Sequence, residues 1–244
     1  MLVAILIVLT GVFAASVLRG FTGFGFGLAA VPLLSLALEP AQVVPFVVVL
    51  QMVVGAGGLR DAWRQCDWRA IRGLAPGLLL GIPLGLLVLT AFQPNTVRLA
   101  IGLIIAASVA LLWRGARLPP APSRILTGGV GLLSGVISGL ASMGGPPVVV
   151  YLLALGHGAA VVRSTSIIYF MVSGLTSAVA MSARGLIDQE ILIWAAASVP
   201  AAYGGNRVGT WAFHKARPHH HRMTALLVLS ALAVVLIVRA LAAG

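Results

Sequence analysis

The sequence predicts an all-α polytopic membrane protein built from two inverted repeats, and three observations support this class. Of the 244 residues, 60% are hydrophobic and 9% are charged, whereas about 25% are charged in an ordinary soluble domain. The 16 Lys and Arg residues outnumber the five Asp and Glu residues and punctuate apolar runs, as the positive-inside rule of membrane proteins describes. Glycine and proline positions also recur at fixed distances along the chain.

Apolar runs divide the chain into candidate membrane segments. A helix needs roughly 20 residues to cross a hydrocarbon core about 30 Å thick. The runs at 28–38, 125–137 and 147–156 are too short to cross alone, and the run at 2–18 is borderline. The longer runs cover about 41–59, 73–92, 99–113, 164–182, 191–213 and 223–238. We therefore expect each repeat to contain three transmembrane helices and one interrupted re-entrant hairpin.

Two offsets define the repeats. A shift of 119 positions superposes Gly20 on Gly139, Gly25 on Gly144, Leu33 on Leu152, Met52 on Met171, Val53 on Val172 and Gly55 on Gly174. A shift of 124 superposes Pro76 on Pro200, Gly81 on Gly205, Gly85 on Gly209 and Arg98 on Arg222. The first repeat is therefore expected at 1–117 and the second at 123–244, joined by a linker at 118–122 within one membrane domain.

The distribution of cations predicts the relative orientation of the repeats. If 2–38 and 125–156 each cross once, the repeats are parallel and the loop cations divide between the two faces. If each region instead returns to its starting face, the second repeat is inverted and most loop cations gather on one face, as the positive-inside rule favours. We expect both termini outside and the loops 60–72, 114–124 and 214–222 in the cytoplasm. A full-length crossing by 2–18 that is followed by a second crossing would give the same signs.

The helical pattern is interrupted at corresponding places in the two repeats, at 19–27 and at 138–147. Glycine costs about 1 kcal/mol and proline about 3 kcal/mol in a helix interior, and lipid offers no partner to the freed backbone groups. Paired interruptions of this kind point to the binding site of a transporter. Helices that restart after Gly27 and at Pro146-Pro147 would direct free N–H groups into a cavity, which favours an anionic substrate.

These motifs carry a resemblance to a known family. They read Gly20-Phe-Thr-Gly-Phe-Gly-Phe-Gly-Leu-Ala-Ala-Val-Pro-Leu-Leu34 and Ser138-Gly-Leu-Ala-Ser-Met-Gly-Gly-Pro-Pro147, followed by Gly81-x-x-x-Gly85 and Gly205-x-x-x-Gly209. With them, nearly the whole chain resembles the TauE/SafE sulfite exporter family. The resemblance implies a multi-pass transporter of the bacterial plasma membrane for sulfite, a sulfonate or another small organic anion. Phe26 and Pro146 interrupt the glycine triplet that is more usual in the family, which leaves the substrate open.

Arg19 is the first candidate for binding that anion. An ionisable residue within a membrane segment is a functional hypothesis by default, and no acidic residue lies within fifteen positions of Arg19. A bound anion or backbone carbonyls would be its natural partners. The alternative is that 2–18 is a full span and Arg19 snorkels at its end. Thr22, Ser138 and Ser142 could donate hydrogen bonds to the anion, or serve in ordinary helix packing.

A second polar candidate, Asn206-Arg207, lies within the apolar run 191–213. Its equivalent in the first repeat is Ile82-Pro83, so a packing role shared by both repeats does not explain the polarity. A cavity role competes with a snorkelling arginine near the cytoplasmic end. The full set of residues expected to bind substrate is Arg19, Thr22, Gly23, Gly25, Gly27, Ser138, Ser142, Gly144, Gly145, Asn206 and Arg207. Gln51 is a weaker candidate for the same cavity.

Other functions find less support in the sequence. The main spans contain no Asp, Glu or His, which argues against a proton relay and against a membrane-embedded enzyme. Cys66 is the single cysteine, and the run His219-His220-His221 is expected to be a solvated basic loop, so neither a metal site nor a cofactor is predicted. The expected partners are a small anion and the lipid bilayer, not nucleic acid, and the glycine rows leave a homodimer open. An anion channel remains the alternative to a transporter.

Overall fold

The computed structural model describes residues 2–22, 25–56, 59–114, 123–215, 234 and 237–238. These residues form helices and no strand, which confirms the all-α class for the part of the chain described. The helices are α1 (Leu2–Thr22), α2 (Phe26–Ser35), α3 (Pro40–Gly55), α4 (Leu59–Gln65), α5 (Trp68–Ala91), α6 (Pro94–Arg114), α7 (Arg124–Ala141), α8 (Gly145–Ala154), α9 (Ala159–Ser182) and α10 (Gln189–Lys215). The run His219-His220-His221 and most of the predicted segment 223–238 lie outside the described residues.

Three of the helices, α5, α7 and α9, are long and apolar enough to cross a membrane, and α3 with α4 adds a fourth if that bent pair is one span. The expectation that 125–137 is too short to cross is wrong, because the helix begins at Arg124 and continues to Ala141, for 18 residues. Helices α2 and α8 have 10 residues each. At 1.5 Å per residue they reach only about 15 Å, half the thickness of a hydrocarbon core.

Glycines let α5 and α7 cross in close contact. A methyl group on Gly81 would overlap the carbonyl oxygen of Leu132, and one on Gly85 would overlap that of Val136. From the other side, a methyl on Gly139 would overlap the carbonyl oxygen of Ile82. Small residues are what allow two membrane helices to approach this closely, and here both helices belong to the same chain.

Helices α1 and α10 cross in the same manner, at positions related to the first crossing by the repeat offsets. Gly20 faces the carbonyl oxygen of Asn206, as Gly139 faces that of Ile82. The shift of 119 relates the two glycines, and the shift of 124 relates their two partners. Each crossing therefore joins one helix from the first half of the chain with one from the second half.

The short helices α2 and α8 lie in the interior. Every residue of α2 except Leu33 is buried, and most of α8 is buried as well. The carbonyl groups at the end of α2 have a cationic partner, because Arg98 of α6 donates to the carbonyl oxygens of Ser35 at 2.9 Å and Leu38 at 3.2 Å. A cation is favourable at a helix C-terminus, where carbonyl groups lack partners within the helix. The opposite end of α2 faces the candidate site.

Candidate functional site

The two interruptions of the helical pattern meet in space. The first lies between the end of α1 at Thr22 and the start of α2 at Phe26, and the second separates α7 from α8 at residues 142–144. A methyl group on Gly27 would overlap the carbonyl oxygen of Ser142. The backbone of the first turn of α2 is therefore in direct contact with the second break at this point.

Arg19 does not open the first break, and that detail of the sequence prediction is wrong by about one turn. Helix α1 stays regular to Thr22, so Arg19 occupies its last turn. Gly20 remains helical because it is packed against the backbone of α10. A cation in the last turn is favourable for the helix dipole. The Nη1 atom of Arg19 is buried and has no hydrogen-bond partner among the described residues, so this guanidinium keeps donor capacity for a ligand.

A small cavity of about 30 Å³ lies between the two breaks. The breaks and their adjoining helices contribute Gly25, Phe26, Gly27, Leu28, Ser138, Ser142, Met143, Gly144 and Gly145, and helices α3 and α9 contribute Gln51, Phe170, Ser173, Gly174 and Ser177. Six of the residues expected to bind substrate are thus brought together around one space. Gln51, the weaker candidate, lines it too.

A larger cavity of about 280 Å³ adjoins the small one, and Gly25, Phe26, Gln51 and Phe170 line both. Its other polar lining residues are Arg19, Arg163 and Ser166, and its remaining lining residues are Met52, Gly55, Val149, Leu153, Val162, Ile167 and Met171. No Asp or Glu side chain is among the described residues that line it. The cavity extends from Gly25, at the first break, toward the end of α3 and the start of α9, at one end of the helix bundle.

Hydroxyl groups brace the second break. Tyr169 donates to Oγ of Ser134 at 2.9 Å, and Ser134 donates to the carbonyl oxygen of Gly144 at 2.5 Å. Ser173 donates to Oγ of Ser138 at 3.0 Å. Because a serine hydroxyl carries one O–H donor and two acceptor lone pairs, Ser138 can accept this bond and still donate its own hydrogen to a ligand.

The beginnings of α2 and α8 differ in the donors that they offer. The first N–H groups of a helix have no partner within that helix. In α2 the first three residues, Phe26, Gly27 and Leu28, each carry an N–H group. In α8 the second and third residues are Pro146 and Pro147, which have none. An anion at the convergence would therefore find most of its backbone donors on α2.

Sequence reasoning missed the contribution of α9. Arg163, Ser166, Phe170, Ser173 and Ser177 line the two cavities, and they follow one another at intervals of three and four residues. Residues at this spacing share one face of a helix. The stripe is visible in the sequence, but an apolar run that starts at 164 leaves Arg163 in the preceding loop.

Asn206 and Arg207 are not brought to either cavity. The backbone of Asn206 packs on Gly20 of α1. Arg207 is exposed; its Nη2 donates to the hydroxyl of Tyr203 at 3.2 Å, and its guanidinium carbon lies 4.9 Å from the centre of that ring. Tyr203 precedes Arg207 by four residues, a spacing that allows this contact on one helix face. Of the remaining predicted residues, Thr22 ends α1, and Gly23 lies outside the described residues.

The loops at the end of the bundle toward which the large cavity extends are held together by polar contacts. Asp67, between α4 and α5, pairs with His157, between α8 and α9, at 2.9 Å. The same carboxylate accepts from the N–H groups of Arg69 and Ala70, and the N–H of Asp67 donates to Oγ1 of Thr165. The two halves of the chain are therefore tied at this end.

Comparison with known proteins agrees with these features. The family model described as sulfite exporter TauE/SafE matches residues 7–236. This chain belongs to the TauE/SafE family. It is similar to a probable sulfite/organosulfonate exporter TauE from Cupriavidus necator, with 27% identity over 194 residues that cover 77% of this chain and 75% of the relative. No solved structure matches the chain. The family resemblance carried by the glycine motifs is confirmed, and with the apolar helices it makes this an integral membrane protein of an exporter family.

Proposed function

We propose that this TauE/SafE protein is a secondary transporter that carries a small anion, such as sulfite or an organosulfonate, across the bacterial plasma membrane. The observation that supports this proposal most strongly is that the two helix breaks meet beside Arg19. This cation is partly buried, and its buried Nη1 atom has no hydrogen-bond partner among the described residues. In this proposal the anion accepts hydrogen bonds from Arg19 and from the first N–H groups of α2. The hydroxyl of Ser138 adds a donor from the opposite break.

We also propose that the chain is two inverted repeats, at 1–117 and 123–244. Support comes from the helix crossings, since α1 with α10 and α7 with α5 meet at glycines and partners that the offsets of 119 and 124 relate. The large cavity extends toward the end of α3, where α4 follows. If the loop 60–72 lies in the cytoplasm, this cavity therefore faces the cytoplasm. Transport then requires a second arrangement of the two halves that exposes the breaks to the other side.

The direct test is uptake of labelled sulfite and methanesulfonate into proteoliposomes that contain the purified protein. A carrier gives saturable uptake that speeds up when the vesicles are preloaded with the same anion. Arg19→Gln should abolish uptake, whereas Arg69→Gln, which removes an exposed cation at the start of α5, should leave it unchanged. Failure to transport any small anion would contradict the proposal. Non-saturating conductance without exchange would identify an anion channel instead.

The proposed orientation has a separate test. Tags at both ends of the chain should be accessible from outside intact cells. The native Cys66, in the loop between α4 and α5, should react with a thiol reagent only from the cytoplasm. A tag at either end that is accessible only from the cytoplasm would overturn the inverted arrangement.

A further inference from the structure

Helix α5 presents an apolar stripe on the side that is not packed on α7. Its glycine side, which includes Gly81 and Gly85, is in contact with the backbone of α7. On another side Leu79 is 51% exposed and Leu80 is 68% exposed. Because α5 is long and apolar enough to cross a membrane, this stripe is a surface for the acyl chains of lipids.

Arg72 lies at the start of the same stripe. It is exposed, and it precedes Pro76, Leu79 and Leu80 by four, seven and eight residues, intervals that place these side chains on one helix face. At 1.5 Å per residue, Arg72 and Leu80 are about 12 Å apart along the helix axis, whereas one leaflet has about 15 Å of hydrocarbon. A lipid whose acyl chains cover the stripe therefore has its headgroup at the level of Arg72.

Helix α4 brings a second cation to this level. It is inclined by 78° to α3, and it buries Ala62 while it exposes Trp63 and Arg64. The ring of Trp63 packs edge-on against that of Trp68, with 4.4 Å between the ring centroids, and Nε of Arg72 donates to the carbonyl oxygen of Trp68 at 3.3 Å. Tryptophan and arginine side chains that are exposed together are typical of helices at the membrane surface.

The charge of this region favours an anionic lipid. The stretch 59–72 contains four arginines and two aspartates. One of these aspartates, Asp67, is paired with His157 at 2.9 Å. Guanidinium groups remain charged at any physiological pH and match the geometry of phosphate oxygens. Positive charge therefore exceeds negative charge where the apolar stripe begins.

We propose that this surface is a binding site for an anionic phospholipid. The acyl chains lie along Leu79 and Leu80, and the phosphate group accepts hydrogen bonds from Arg64 and Arg72. The exposed ring of Trp63 lies beside the headgroup. Among the described residues that line the two cavities near the helix breaks, none belongs to this surface, so lipid binding here is independent of the transported anion.

The test measures lipid binding to the purified, delipidated full-length protein by native mass spectrometry. Phosphatidylglycerol and phosphatidylcholine with identical acyl chains are titrated separately, because they differ in headgroup charge. Phosphatidylglycerol should bind about 25-fold more tightly, since each of two arginines near an anionic headgroup contributes about fivefold. Arg64→Gln and Arg72→Gln should each lower the affinity for phosphatidylglycerol about fivefold. Arg184→Gln, which removes an exposed cation just beyond the far end of α9, should leave the affinity unchanged.

The other outcomes would each overturn the proposal. Equal affinity for the two lipids would exclude recognition of the anionic headgroup. Unchanged affinity in both Arg64→Gln and Arg72→Gln would place the lipid elsewhere. Competition by glycerol phosphate, which has the charge but no acyl chains, would identify a site for small soluble anions. A stable dimer that binds no lipid would identify a second copy of the chain as the occupant of this surface.

Discussion

The two helix breaks occupy equivalent positions but present different chemistry to the space between them. At the shift of 119, Arg19 corresponds to Ser138 and Gly25 to Gly144. The first break thus adjoins a cation and is followed by a helix whose first three residues carry N–H groups with no partner within that helix. The second adjoins hydroxyl groups and is followed by a helix whose first turn contains Pro146 and Pro147. A repeated scaffold therefore provides positive charge from one half and neutral hydrogen-bond donors from the other.

The described parts of both breaks include a residue in the left-handed region, but the two residues are of different types. Gly25 has a φ of 87° and Ser142 a φ of 54°. Glycine adopts this region without steric cost, whereas a residue with a Cβ atom loses roughly 1–2 kcal/mol there. Among the described residues Ser142 is the only residue other than glycine with a positive φ. Residues in this strained conformation cluster at functional sites, so the side chain of Ser142 is a candidate group for binding the anion.

The largest effect is expected where the two breaks touch. Gly27→Ala would place a methyl group on the carbonyl oxygen of Ser142, and because backbone cannot yield as a side chain can, we expect a loss of about 3 kcal/mol of stability. Thermal unfolding should show a clear fall in Tm, and anion binding should be lost. Gly129→Ala is the matched control, since a methyl group there meets nothing within 4 Å. Equal Tm values for the two variants would show that the breaks are not in contact.

Ser138→Ala tests whether the hydroxyl groups of the second break contribute to anion binding. This change removes a donor to the anion and the acceptor of the bond from Ser173, so anion affinity should fall about tenfold, the value of one hydrogen bond to a charged group. Ser182→Ala, at an exposed position near the end of α9, should not change it. Calorimetric titration of the anion measures both. An unchanged affinity for Ser138→Ala would mean that the first break holds the anion alone.

The left-handed conformation of Ser142 predicts that a variant at this position can gain stability while it loses affinity for the anion. Ser142→Gly should raise stability by up to about 1 kcal/mol, because the left-handed conformation suits glycine, and should weaken anion binding about threefold through loss of the hydroxyl. Ser142→Ala removes the hydroxyl without relieving the backbone, so its Tm should not rise. A glycine variant with lower Tm and unchanged binding would contradict the assignment of strain and function to this residue.

The smallest expected effect is an increase in anion affinity. Pro146→Ala adds an N–H group in the first turn of α8 and makes the second break more like the first. Anion affinity should increase about twofold, as expected for one more donor at a helix N-terminus. Gly129→Ala again provides the control for a mild change in a helix. A loss of affinity would show that the proline shapes the site rather than limiting its donors.

The sequence revealed the breaks more readily than it revealed their surroundings. Gly/Pro clusters at 19–27 and 138–147 predicted both interruptions and their pairing, because such residues disfavour helix wherever they occur. The exact start of the first break was missed, since Gly20 is kept helical by its packing against α10. That contact depends on a partner helix far away in the chain, which no local pattern encodes.

The same dependence on partners explains the errors over arginines. Arg207 seemed a cavity candidate because it interrupts an apolar run, yet the glycine face of α10 packs on α1 and leaves Arg207 beside Tyr203. The start of the apolar run at 164 predicts a loop position for Arg163, whereas its helical spacing to Ser166 and Phe170 indicates a shared helix face. A charged residue in or beside an apolar run is therefore a candidate for the cavity, and the helix face on which it lies decides whether it lines the cavity.

The most direct test of the convergence is a crystal structure of the protein with 2-bromoethanesulfonate, in which anomalous scattering locates the bromine. The account predicts the sulfonate oxygens within hydrogen-bond distance of the guanidinium of Arg19 and the N–H groups of Phe26 and Gly27, with the bromine directed toward Met52 and Phe170. A sulfonate bound elsewhere, for example at Arg207, with the space between the breaks filled by side chains, would contradict it.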